Sequence, residues 1–236
     1  MNLGIYPIGK VNGDRLEYLN QSLLRLFNSV HPDFLKTTIV KKHSKTFSQE
    51  EAVLSGDRFL YYGEAIVDVK LLDWFLKQKK FDCYIGILSE DVPLIGNYRC
   101  RIVPDSDDLQ TFPELKNKVK EGYLTAYRNI SGSSYLGKKV SVASLMWQYN
   151  IHPHVTNKEE WLKQNEIVLR HELLHSLGLK HHRFPYENIE EIMENFDKIF
   201  NFCVMGYEYQ DSKATGTTST TELCDEHMNE LKQILK

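Results

Sequence analysis

Long hydrophobic runs are missing from this chain. No window approaches the roughly 18 consecutive apolar residues of a membrane span. The opening, MNLGIYPIGKVNGDRLEYL, has too short an apolar run for a signal-peptide h-region, and charge arrives at once. An excess of positive charge is missing too: 29 Lys and Arg stand against 32 Asp and Glu, for a net charge of −3, so no nucleic-acid surface is expected. These absences predict a cytoplasmic protein with neither membrane nor nucleic acid as partner. Cysteine is scarce, at four residues: Cys83, Cys100, Cys203 and Cys224. In a cytosolic chain such a count points to metal binding or burial before disulfides. No internal repeat is visible. What remains, 42% hydrophobic and 26% charged over 236 residues, is a globular composition, enough for one sizeable α/β domain or a domain with a small appendage.

Strand-like and helix-like segments alternate. NLGIYPI, residues 2–8, reads as a first strand. Over 13–29, Leu16, Leu19, Leu23, Leu26 and Phe27 follow the i, i+3, i+4 spacing of an amphipathic helix. KTTIVKK is a second strand candidate, and Leu71, Leu72, Phe75 and Leu76 repeat the helical spacing over 67–79. FDCYIGIL, residues 81–88, is a continuous apolar run fit for a central strand. Cys83 there, and Cys100 in YRCRIV, read as ordinary buried thiols. From about 90 to 140 the chain is rich in turns, with EGYLTAYRNI and KKVSVASLMW the best strands. A long helix follows over 159–178 and another over 187–199, NIEEIMENFDKIF. SKATGTTSTT, 212–221, is a small polar loop. A final helix is expected from about 220, with Ser219 and Glu222 as its capping box. The class is α/β, with a mixed sheet and helices layered on it.

The densest chemistry lies in RHELLHSLGLKHH, residues 170–182. His171 and His175 stand four apart, on one face of a helix, with Glu172 between them. Two such imidazoles can reach one metal at about 2.0–2.1 Å. Gly178 can stop the helix through a positive φ, and the chain then swings His181 back as a third ligand. The whole pattern, H-E-x-x-H-x-x-G-x-x-H, is far more specific than its first half. Ile167, Leu169, Leu173, Leu174 and Leu177 leave a narrow polar stripe, Arg170 excepted, so the helix is buried. Buried imidazoles and a carboxylate need partners, and a metal is the natural one. Three histidines leave a zinc position open, the layout of a catalytic site. Zinc lowers the pKa of its water toward about 7 and Glu172 can take the proton as general base, so peptide-bond hydrolysis is the expected reaction class.

The motif resembles that of the metzincin metallopeptidases, and the resemblance implies a methionine turn downstream. FCVMGY supplies one, with Met205 placed 24 residues after His181. In metzincins that methionine is an apolar floor beneath the metal. Tyr207 occupies the Met-x-Tyr place that in some members stabilises the transition state, where its phenol could aid an oxyanion; a packed or surface tyrosine is the other reading.

The chain is more closely similar to the archaemetzincins. That family joins the zinc motif to a cysteine four residues past the glycine, then C-x-M, then C-x-x-C, and these cysteines hold a second, structural zinc. Here His182 takes the first of those places, Cys203-Val204-Met205 matches C-x-M, and Cys224-Asp225-Glu226-His227 is a C-x-x-H. Each departure exchanges one zinc ligand for another, and the resemblance implies a Cys2His2 set of His182, Cys203, Cys224 and His227. Two thiolates and two neutral imidazoles suit tetrahedral zinc. Cys224 and His227, at i, i+3 near a helix start, share a face. A larger departure is the insertion between His182 and Cys203, twenty residues that contain the helix expected at 187–199. The opening IYPIG extends the likeness, and EGYLTAYRNISGS and KKVSVASLMW do so more weakly.

Family membership implies two zinc ions per chain, one catalytic and one structural. It implies an upper α/β subdomain over 1–181, a mixed twisted sheet with helices and the active-site helix. A small, mainly helical lower subdomain follows over 182–236. The expected partner is a peptide or protein substrate, and the expected state a monomer. Two other readings stay open: a zinc-bound scaffold or peptide-binding protein with little turnover, and an amidase acting on a non-protein amide. YRCRIVPD at 98–105, HPH at 152–154 and the acidic run PDSDDLQ are read as strand, loop and solvated turn.

Overall fold

The computed structural model describes residues 1–40, 48–55, 58–89, 92–101, 119–120, 123–145, 158–183, 195, 202–208 and 220–236. In 48–55, 58–64, 97–101, 119, 123–129, 158, 183 and 207–208 it describes the backbone path. In chain order the elements are β1 (Asn2–Ile8), α1 (Gly13–Val30), β2 (Lys36–Ile39), β3 (Ser48–Ser55), β4 (Arg58–Val67), α2 (Asp68–Leu76), β5 (Cys83–Leu88) and β6 (Leu94–Arg101). Then come β7 (Val119–Lys120), β8 (Tyr123–Asn129), β9 (Gly132–Tyr135), β10 (Val140–Ser144), α3 (Lys158–Leu177), β11 (His182–Arg183), β12 (Tyr207–Glu208) and α4 (Asp225–Ile234).

The central sheet runs β2-β1-β5-β10-β9. Its first four strands are parallel, and β9 closes one edge antiparallel to β10. Every residue of β5 is buried, as the apolar run predicts for a strand covered on both faces. Side chains alternate between the faces. Leu3, Ile5, Cys83, Ile85, Ile87 and Ala143 join the core built on α1 and α3, while Tyr6, Ile8, Tyr84, Leu88, Val140 and Val142 join Leu71, Leu72 and Phe75 of α2. Cys83 is fully buried, as expected of an ordinary core thiol; the side chain of Cys100 lies outside the described residues.

Helix α1 begins where Asn12 caps it, its side-chain oxygen accepting the N–H groups of Asp14 at 2.9 Å and Arg15 at 3.2 Å. All five residues of its apolar stripe are buried, each worth about 1.5–3 kcal/mol for a large side chain. Cys203, Val204, Met205 and Leu231 belong to the same core as α1 and α3. Residues on both sides of position 181 therefore share one apolar interior.

Three features depart from the sequence pattern. A second sheet, β3-β4-β6-β8-β7 with β3 also paired to β8, occupies segments where no element was expected between 48 and 67. Its register depends on partners distant in the chain, β4 with β6 and β3 with β8, which local periodicity does not report. The final helix starts at Asp225, not near 220, and its N-cap is Cys224, with no side-chain cap hydrogen bond. Thr220 Oγ1 accepts the N–H of Glu222 at 3.2 Å, and the Glu222 carbonyl accepts the N–H of Val204 at 2.7 Å, which holds this segment extended beside 203–206. Ser219, the helix expected at 187–199 and the loop 212–219 lie outside the described residues, apart from Asn195 in a turn.

Candidate metal centres

Helix α3 places three of the ligand candidates. Leu169, Leu173, Leu174 and Leu177 point into the core, and His171, Glu172 and His175 line the part-exposed stripe opposite. The helix ends in a Schellman motif: Leu179 N–H donates to Leu174 O at 3.1 Å and Gly178 N–H to His175 O at 2.9 Å. Gly178 sits at φ +116°, where a side chain would be strained. The turn between β9 and β10 satisfies further carbonyls of the last turn, with Gly137 N–H on His175 O at 3.1 Å and Lys139 N–H on Ser176 O at 2.8 Å. The reversed chain brings His181 back over the helix.

The three imidazoles converge through one kind of nitrogen. Nε2 of His175 lies 3.1 Å from that of His171 and 3.0 Å from that of His181, and the third separation is 3.2 Å. Nδ1 of His171 faces Val204 O at 2.8 Å and Nδ1 of His175 faces Leu179 O at 2.7 Å. A carbonyl can only accept, so Nδ1 carries the proton on both rings and the Nε2 lone pairs point at a common centre. The spacing is close to the edge of a tetrahedron with bonds of about 2.0–2.1 Å, and the carbonyl partners are those a metal-ligating histidine uses to fix its tautomer. Burial and the neighbouring rings lower the pKa of His171 to about 3 and that of His181 to about 4. The rings are thus neutral at physiological pH, the form that ligates metal. The donor set fits zinc.

Glu172 stands beside the first ligand. Burial pushes its carboxyl up to about 7; the hydroxyl of Ser134 pulls it down, and the charge of Asp68 adds to the rise. Ser134 Oγ donates to Glu172 Oε2 at 2.8 Å. Nothing in ISGSSY marks Ser134 as a functional residue, because its partner lies 38 residues away across the sheet edge. Ser134, Leu136, His175, Lys180 and His181 line an open cavity of about 320 Å³ beside the imidazoles.

The second ligand set also assembles. His182, Cys203, Cys224 and His227 each present one ligand atom, all within 4.8 Å of one another. Cys203 Sγ lies 3.3 Å from His227 Nδ1, and Cys224 Sγ lies 3.3 Å from His182 Nε2. The opposite nitrogens reach carboxylates, His182 Nδ1 to Glu226 at 3.5 Å and His227 Nε2 to Glu230 at 3.8 Å. Two sulfurs, two inward nitrogens and carboxylates behind both rings are a donor set fit for closed tetrahedral zinc. Burial pushes the Cys203 thiol up to about 12 when no cation faces it. Cys224 caps α4, so Cys224 and His227 are on the helix's first turn, as the spacing predicts.

Met205 is fully buried in the turn that joins the two sites. The Val204 carbonyl in that turn receives His171, and Gly206, at φ +60°, accepts the N–H of His182 at 3.0 Å. Tyr207 pairs with His182 in the short parallel ladder of β11 and β12. Its phenol lies outside what the structure describes.

No family model matches the chain, and no curated protein matches it by sequence. Solved structures do match. An archaemetzincin from Methanopyrus kandleri aligns over 100% of this chain and 95% of its own, with 16% identity and a TM-score of 0.52. An archaemetzincin from Archaeoglobus fulgidus, complexed with malonate, aligns over 98% of this chain and 99% of its own, with 16% identity and a TM-score of 0.49. Among the described residues no helix is long and apolar enough to cross a membrane. With its mostly parallel central sheet and the helix α3 lying against it, this chain has an archaemetzincin-like fold.

Proposed function

We propose that this chain is a zinc-dependent peptidase. The observation that carries the reading is the convergence of three imidazole Nε2 atoms, 3.0–3.2 Å apart, beside the carboxylate of Glu172, which shares the α3 stripe of His171 and His175. His171, His175 and His181 would hold the catalytic zinc. His182, Cys203, Cys224 and His227 would hold a structural one, and Met205 is the apolar floor of the turn between them. Zinc in the three-histidine site would polarise the substrate's carbonyl and make a bound water acidic enough to ionise near neutral pH.

The chain's own residues bind the substrate and move the proton. Strand β9 is the edge of the central sheet, so an extended peptide can add to it as a further strand beside Glu172. Oε2 of Glu172 is engaged by Ser134, which leaves Oε1 to take the proton of the attacking water. The same carboxyl can then give that proton to the leaving amine. The upper part, 1–181, carries the sheet and α3, and the lower part, 182–236, carries the turn and the structural site. A monomeric cytoplasmic enzyme acting on peptides or proteins is the whole of the reading.

The test is Glu172→Ala in zinc-loaded protein against a broad peptide library. The variant keeps its zinc and loses hydrolysis. Cleavage at the wild-type rate would sink the mechanism.

A further inference from the structure

Two residues of the sheet edge shape the place where Glu172 sits. In β9 the side chains alternate between faces. Ser133 and Tyr135 turn toward α2, where their hydroxyls donate to Asp68 Oδ2 at 2.8 Å and Asp73 Oδ1 at 3.0 Å. Gly132 and Ser134 turn the other way, toward α3. Ser134 donates to Glu172, as above. At Gly132 a Cβ would collide with Glu172 Cγ and stand 2.8 Å from both Cδ and Oε1. The three nearest atoms all belong to Glu172, so its side chain occupies the volume that any residue but glycine would need. Gly132 is not among the glycines at positive φ. Space, not backbone freedom, therefore requires glycine there, the usual meaning of a glycine inside a strand approached closely by a neighbour. Opposite these two residues, β10 places Ala143 and Ser141, which are also small and let α3 approach the sheet.

We propose that Gly132 and Ser134 are positioning residues for Glu172, one providing the recess for its methylenes and the other the hydrogen bond that orients its carboxylate. The strand cannot simply retreat from a larger residue at 132, because Asp68 and Asp73 tie it down on its other face. A methyl group at 132 thus displaces Glu172. The kinetic consequence rests on the peptidase reading; the packing does not.

The test uses the zinc-loaded full chain. Ser134→Ala lowers kcat about tenfold, the effect of one hydrogen bond to a charged group, with KM within about twofold, and Ser134→Thr restores the rate by restoring the hydroxyl. Gly132→Ala lowers kcat at least as far. It also lowers the melting temperature, and that drop disappears in a Glu172→Ala background, where the atoms in collision are gone. A Ser134→Ala enzyme with unchanged kcat would overturn the role of Ser134. An equal thermal cost for Gly132→Ala in both backgrounds would overturn that of Gly132. If wild type hydrolyses nothing, the peptidase reading fails, while the thermal comparison, which needs no substrate, still decides whether the recess belongs to Glu172.

Discussion

Arg170→Ala should be among the most destabilising single changes in the chain. Arg170 and Glu166 form an ion pair at 2.6 Å, their side chains 5% and 8% exposed. Burial lowers the Arg170 pKa, yet the guanidinium is well satisfied. Nε donates to Ser22 Oγ at 3.0 Å, Nη1 to Thr221 O at 2.7 Å, and Nη2 to Ser22 O at 3.2 Å. Glu166 also accepts from Tyr18 and Ser22, each at 2.7 Å. Truncating the arginine leaves a buried carboxylate whose other ion-pair partner among the described residues is Arg25 at 3.9 Å, on a side chain that is 56% exposed. Breaking such a pair costs about 3–5 kcal/mol. At roughly 2–4 °C per kcal/mol for a chain this long, the melting temperature should fall by about 6–20 °C. Calorimetry on zinc-loaded protein measures it. The double variant Glu166→Gln/Arg170→Met should cost less than Arg170→Ala alone, because no unpaired charge remains. A shift of under about 3 °C for Arg170→Ala, or a double variant at least as damaged, would refute the reasoning. The site is coupled to this pair, since Arg170 precedes His171 and holds the segment that leads to Cys224.

Wild type should contain two zinc ions per chain and Cys224→Ser one, by elemental analysis; one ion in both would remove the structural site and leave the catalytic one. On acidification the zinc affinity of the Cys2His2 site should fall more steeply than that of the three-histidine site, as followed with a chromophoric chelator. Binding there must remove the Cys203 proton, held at about 12 without metal, so apparent affinity falls at least about tenfold per pH unit. His171 and His181, depressed to about 3 and about 4, meet proton competition only near those values; an equal or steeper fall at the three-histidine site would contradict this. Asp68 gives a prediction of the opposite sign from ordinary acid denaturation. Burial raises its carboxyl, although hydrogen bonds from Ser133 and Val69 offset part of the rise. Its protonated form therefore favours folding, fully so below the unfolded-state pKa, and this contribution is lost as pH rises through the raised folded value. Asp68→Asn, which cannot ionise, should gain stability relative to wild type between pH 4 and 7, read as the difference in melting temperature; a constant difference would refute it.

The first candidate metal cluster was legible in the chain because its geometry is local. His171 and His175 share a helix face by the 3.6-residue period, and Gly178 reverses the chain within one turn, so no distant partner decides where these three candidate ligands stand. The second set was legible only through resemblance, since His182, Cys203 and Cys224 come from separate segments whose meeting depends on the fold. Helices α1 and α3 followed directly from their apolar stripes, and β5 from a run apolar on both faces.

Tertiary structure decided the rest. The closed second sheet depends on β3 meeting β8 and β4 meeting β6, pairings without a local signature. The helix start expected near 220 gave way to a long-range hydrogen bond from Val204 N–H to the Glu222 carbonyl, which keeps the chain extended up to Cys224. Nothing in the local sequence marks Ser134 and Gly132, which gain a role only where β9 lies against α3. The sequence alone determined which side chains could offer a metal ligand and where they stand along the chain, because residue identity and order are covalent facts. Only the fold decided what holds Glu172, because its contact with Ser134 joins residues 38 positions apart and the smallness of Gly132 has meaning only against the neighbour that fills the space.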